Sequence, residues 1–170
     1  MKIFLEEQKF TQPLVVVGLS IAFIVVGTSI LKEWERISQG SLSEIAVDCV
    51  GLILITLVIL LFFILKLKTR INEKGIYYQY YPLHRSYTLI SWKEISNCTV
   101  RNYDAISEYG GWGIKFSFFK KRGKSFTVKG NTGLQLELKS GKKILLGTQL
   151  KEDLQRTIDN YQYKLKTNEI

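Results

Sequence analysis

The chain has 170 residues, 46% of them apolar, and its 24 Lys and Arg against 15 Asp and Glu leave a formal net charge of +9. That is one domain's length, and two cysteines (Cys49, Cys98) with one histidine (His84) exclude a disulfide framework, a four-ligand zinc site and most acid–base chemistry. Apolarity is concentrated in residues 14–67 and sparse in 68–170, a split that argues against a plain soluble globule.

Residues 1–13 read as an N-terminal cytoplasmic segment. Leu14 to Leu31 follows without a charge, opened by Pro13, and as a helix at about 1.5 Å per residue it approaches the thickness of a bilayer core. A polar link at 32–44 leads to a second apolar stretch at 45–67, charge-free from Cys49 to Leu65. Two such runs are expected to form a transmembrane hairpin. Lys66, Lys68 and Arg70 then serve as a basic flank that holds the second span's end in the cytoplasm, which leaves 32–44 as an external loop. Trp34 in that loop suits an interfacial ring, and Asp48 reads as a boundary residue close to the positive end of its helix.

Past Arg70 the apolar period changes to two, as in half-buried strands. The clearest case is Leu134-Gln135-Leu136-Glu137-Leu138-Lys139. Seven strands are expected, at 71–80, 86–92, 96–103, 112–120, 124–129, 133–139 and 143–147. Turn residues at 121–124, 130–133 and 140–142 make the last four a meander. Leu150, Leu154, Ile158, Tyr161 and Leu165 recur at steps of three and four, so a C-terminal amphipathic helix follows, with Thr148 as its cap.

Seven antiparallel strands and a final helix give the element order of the pleckstrin-homology superfold. The stretches Ile90-Ser91-Trp92-Lys93-Glu94-Ile95, Gly110-Gly111-Trp112-Gly113-Ile114, Gly130-Asn131-Thr132-Gly133-Leu134-Gln135-Leu136 and Gly147-Thr148-Gln149 carry a likeness to one group. The chain resembles bacterial membrane proteins that place a PH-like domain after a pair of transmembrane helices. The resemblance implies a transmembrane hairpin joined to a mainly-β PH-like domain at 71–167, a seven-stranded, partly open antiparallel barrel capped by an α-helix. It also implies a binding or scaffolding module with no common enzymatic activity. The location is then the bacterial cytoplasmic membrane, multi-pass, with both termini cytoplasmic. Phosphoinositide-binding members carry a paired basic motif on the first two strands; Tyr81-Pro82-Leu83-His84-Arg85-Ser86-Tyr87 has one arginine there and lacks it.

Catalytic motifs are absent from the pattern. Gly110-Gly111-Trp112-Gly113 has no Gly-Lys-Ser/Thr ending and reads as a tight turn instead of a phosphate loop. His84 reads as a solvated loop residue, Cys98 as a small buried hydrophobe, and no nucleophile elbow exists for a serine hydrolase. No catalytic residue, metal or cofactor is expected.

Charge is the remaining functional signal. Residues 71–170 hold 17 Lys and Arg against 9 Asp and Glu. Lys120, Lys121, Arg122 and Lys124 cluster at one hairpin connection, Lys142 and Lys143 at another, and strand parity puts both tips at one end, facing anionic lipid. A pair of solvated turns is the plain alternative. The expected function is a non-enzymatic membrane-tethered module that contacts anionic lipid headgroups or a partner protein. The competing class is a homo-oligomeric membrane assembly with a structural or channel-like role, its helices meeting through Gly18, Ser20, Gly27 and Gly51. Nucleic acid ranks below lipid as a target of the positive charge.

Overall fold

The structure, a computed structural model, describes residues 3–10, 13–32, 42–116 and 123–166. The chain divides into two compact units, Thr11–Ile64 and the combination of Met1–Phe10 with Leu65–Ile170.

The first unit holds helices α1 (Pro13–Lys32) and α2 (Leu42–Ile64). Pro13 occupies the first turn of α1, where a missing N–H costs no helical bond. Apolar side chains stand exposed on both helices, among them Val17, Ile21 and Ile24 on α1 and Ile53, Leu57 and Leu60 on α2. Among the described residues, no helix is long and apolar enough to cross a membrane. The expected two-span hairpin is therefore corrected. With it go the multi-pass cytoplasmic-membrane location, the inward placement of both termini and the resemblance to two-span membrane proteins. Gly18, Ser20, Gly27 and Thr28 lie within α1, which closes on Lys32, and α2 opens through Ser43, Glu44 and Asp48. Of the expected external loop at 32–44, residues 33–41, with Trp34, fall outside the described residues, and the rest belongs to the two helices.

The second unit contains two sheets. The first has the order β1 (Phe4–Lys9), β2 (Lys66–Asn72), β3 (Gly75–Tyr81) and β4 (Thr88–Ser91), all antiparallel. The second is built from β5 (Ile95–Asn102), β6 (Gly113–Phe116), β7 (Lys124–Thr127), β8 (Thr132–Leu138) and β9 (Lys143–Gly147), in the order β5-β8-β9-β7-β6. A short helix, α3 (Ala105–Tyr109), lies between β5 and β6, and α4 (Lys151–Lys166) ends the described chain.

This arrangement corrects the expected seven-stranded antiparallel barrel to a mixed α/β unit of two sheets, of four and five strands, without barrel closure. The meander fails because β9, the return strand of the β8–β9 hairpin, comes between β7 and β8. β7 and β9 consequently run parallel, Lys124 opposite Ile144 and Phe126 opposite Leu146. The expected strand at 71–80 is two strands, broken where the Asn72 side-chain oxygen accepts from the Lys74 N–H at 2.9 Å in an Asx turn.

Leu67, Ile71 and Ile76 of the first sheet and Leu134, Leu136, Leu145 and Leu146 of the second are fully buried. Each contributes roughly 1.5–3 kcal/mol by leaving water. Helix α4 adds Leu154, Ile158 and Tyr161, and Trp92 stacks on Tyr161 at 5.2 Å while its indole N–H donates to the Asn72 carbonyl. Polar contacts tie the two sheets together. Gln8 donates to the Gly147 carbonyl at 2.7 Å, and the Tyr80 hydroxyl donates to that of Thr127 at 3.3 Å. Glu6, buried on β1, accepts from the Thr148 hydroxyl and the Gln149 N–H, both at 2.7 Å.

Candidate anion-binding groove

Parallel pairing of β7 and β9 starts both strands at the same end of the second sheet, so Gly123 and Lys143 are neighbours there. Gly123 makes that proximity feasible. Its φ is +74°, and a Cβ there would lie 2.0 Å from the Lys143 carbonyl oxygen. Only glycine fits so close to a neighbouring backbone in this conformation. Lys124, Lys142 and Lys143 are thereby gathered on one wall of a cavity of about 780 Å³.

The opposite wall is the first sheet's edge strand, β4, through Thr88, Leu89 and Ile90. Ile90 and Ile144 are buried, whereas Leu89 is 43% and Phe116 57% exposed at the mouth. The Lys124 ammonium lies 5.0 Å from the centre of the Phe116 ring, a cation–π contact that restrains it without neutralising it. Lys143 pairs with Glu137, whose carboxyl is held below the usual range by the hydrogen bond from that ammonium. Among the described residues no ion pair holds Lys142. The acidic group lining the cavity, Glu94, is engaged by the backbone. It accepts from the Ser91 N–H at 2.9 Å and completes a capping box around the 3-10 turn Trp92–Glu94.

Of the six expected lipid-facing residues, the structure thus brings together Lys124, Lys142 and Lys143, while Lys120, Lys121 and Arg122 lie outside the described residues. Lys66, Lys68 and Arg70, expected as a membrane-flanking basic group, lie on a strand. They alternate along β2, where Lys66 and Lys68 meet Glu7 of β1 at 2.8 and 3.4 Å and Arg70 lies over the Tyr77 ring. The open edge of β4 and the exposed Phe116 are the parts of the groove that sequence reasoning missed. An uncharged Thr88-Leu89-Ile90-Ser91 run signals a strand but not which side of it stays unpaired.

Other chemistry-bearing residues serve the fold. Burial pushes the Cys98 thiol up to about 12, which disfavours a reactive thiolate. His84 is half-buried, its ring beside Tyr78 and Phe126 and its Nδ1 accepting from the Tyr80 N–H at 3.4 Å. Gly110, at φ +72°, terminates α3 in the left-handed conformation, so the glycine-rich stretch is a helix stop. Among the described residues no group of three His, Cys, Asp or Glu side chains is placed to hold a metal. Comparison of the chain with protein-family models, curated proteins and solved structures returns no match.

Proposed function

We propose that the two-sheet unit is a non-catalytic binding module that takes an anionic ligand in the groove between β4 and the starts of β7 and β9. The convergence of Lys124, Lys142 and Lys143 on one cavity carries this reading. Ammonium groups held over a partly apolar floor attract carboxylates or phosphates, and the attraction falls with ionic strength because the groups are solvated.

The test is titration of the full chain with a fluorescent decamer of glutamate, at low salt and at 0.5 M salt. Reversing two charges, Lys124→Glu with Lys142→Glu, is expected to weaken binding about tenfold or more. Lys151→Glu, with the same sign of change outside the groove, leaves binding near that of the native chain. Equal affinity of the double variant and the native chain overturns the assignment. Competition by phosphatidylglycerol vesicles, if it displaces the peptide from the native chain but not from the double variant, identifies lipid phosphate as an occupant.

A further inference from the structure

We propose that the occupant of the groove is an extended acidic segment of a partner protein, which adds as a strand to the open edge of β4. The inference rests on the anion-binding reading and goes beyond it by requiring backbone pairing.

Three observations lead there. First, β4 pairs with β3 alone, from Gly75 opposite Ser91 to Tyr78 opposite Thr88, and ends the sheet order, so its other edge has no strand partner, although the Glu94 carboxylate takes the Ser91 N–H at its end. Second, that edge is short, but it carries none of the charged, proline or bulge devices that blunt one. Thr88-Leu89-Ile90-Ser91 contains no charge and no proline, and its register with β3 runs without a bulge. The lysines stand across the groove on β7 and β9 instead of on the edge strand, where they would repel a pairing chain less than they attract an acidic one. Third, the cavity is lined on one side by a strand of four residues, about 13 Å long, and on the other by the aligned beginnings of two parallel strands. A strand laid against β4 directs alternate side chains to its two faces. Carboxylates on one face reach the lysine wall, and apolar side chains on the other meet Leu89 and Phe116, which are otherwise exposed. Charge complementarity therefore selects the partner's acidity and the open edge selects its extended backbone. A lipid headgroup satisfies the first requirement only.

The experiment uses the full chain and three octapeptides of alternating Glu and Val: one unmodified, one N-methylated at the Glu residues and one N-methylated at the Val residues. In a strand, the N–H groups of alternate residues point to the same edge, so one methylated set blocks the ladder with β4 and the other does not. The unmodified peptide is expected to bind and to slow amide hydrogen exchange at residues 88–91. One methylated peptide should bind at least tenfold more weakly and the other comparably to the unmodified one. If both methylated peptides bind as the unmodified one does, or exchange at 88–91 is unchanged at saturation, strand addition is overturned. Loss of that binding in the Lys124→Glu, Lys142→Glu variant would still sustain the anion reading. If the unmodified octapeptide fails to bind where the glutamate decamer binds, strand addition is likewise overturned. If neither binds, both readings fall.

Discussion

Glu6 is a carboxylate in the interior, and its position explains what its chemistry must be. Desolvation outweighs the hydrogen bonds from Thr148 and Gln149 and moves its carboxyl above the ordinary value of 4.5. The folded chain therefore holds this proton more tightly than the unfolded chain. The stabilisation is complete below the unfolded value and is lost as pH rises through the folded one. Glu6→Gln removes the titration while keeping an acceptor. Between pH 4 and 7 the native chain should accordingly lose stability relative to the Gln variant as pH increases, read from urea midpoints; a difference that stays flat or runs the other way would refute the assignment. Glu6→Ala leaves the Thr148 hydroxyl and Gln149 N–H without this acceptor, and should lower stability by about 1–3 kcal/mol at neutral pH. Nothing in the sequence near Glu6 announces this role, because a carboxylate ordinarily signals solvent and its partners lie at the far end of the chain.

At the level of elements, the turn that carries Gly123 is the part most easily broken. A methyl group added there meets the Lys143 carbonyl, so Gly123→Ala must part β7 from β9 or distort both. A stability loss of about 2 kcal/mol or more is expected by chemical denaturation, with weakened glutamate-peptide binding in the surviving folded fraction. An unchanged midpoint would show that the two strands are not held this closely. Elements differ in how plainly the sequence displays them. The Leu134 and Leu136 alternation is readable as β8, though Gln135 between them is also buried, receiving the Arg101 guanidinium at 3.0 Å. In contrast, β1 buries Phe4, Glu6 and Gln8, and two polar residues among three inward positions erase the apolar period. β2 alternates Lys66-Leu67-Lys68-Thr69-Arg70-Ile71 in plain view, but the preceding apolar run makes its lysines read as a flank. The lysines of the groove were legible as basic turns from composition alone. Their meeting with β4 was not, because pairing order in a sheet depends on contacts between residues far apart in sequence.

On the scale of the whole chain, the N-terminal strand belongs to the unit formed by the C-terminal two thirds. β1 pairs with β2 along its full length, from Phe4 opposite Ile71 to Lys9 opposite Lys66. Removing residues 1–10 strips one strand from the first sheet, exposes Leu67 and Ile71 and deprives Thr148 and Gln149 of Glu6. The truncated chain should lose cooperative unfolding in circular dichroism, and retention of a native-like transition would contradict the strand's structural importance. The Phe10 N–H donates to the Leu65 carbonyl at 3.3 Å, so the rung beyond Lys9 and Lys66 is where the chain leaves this unit and where it returns. Topologically, α1 and α2 with everything between them are the loop of one oversized hairpin. Closing so long a loop costs roughly 2 kcal/mol more than closing a tight one. Splicing Phe10 to Leu65 through Asn-Gly should yield a minimal protein that refolds faster than its parent. The same junction is a docking port for genetic insertion, since any foreign domain whose termini emerge side by side fits there without disturbing a single ladder bond.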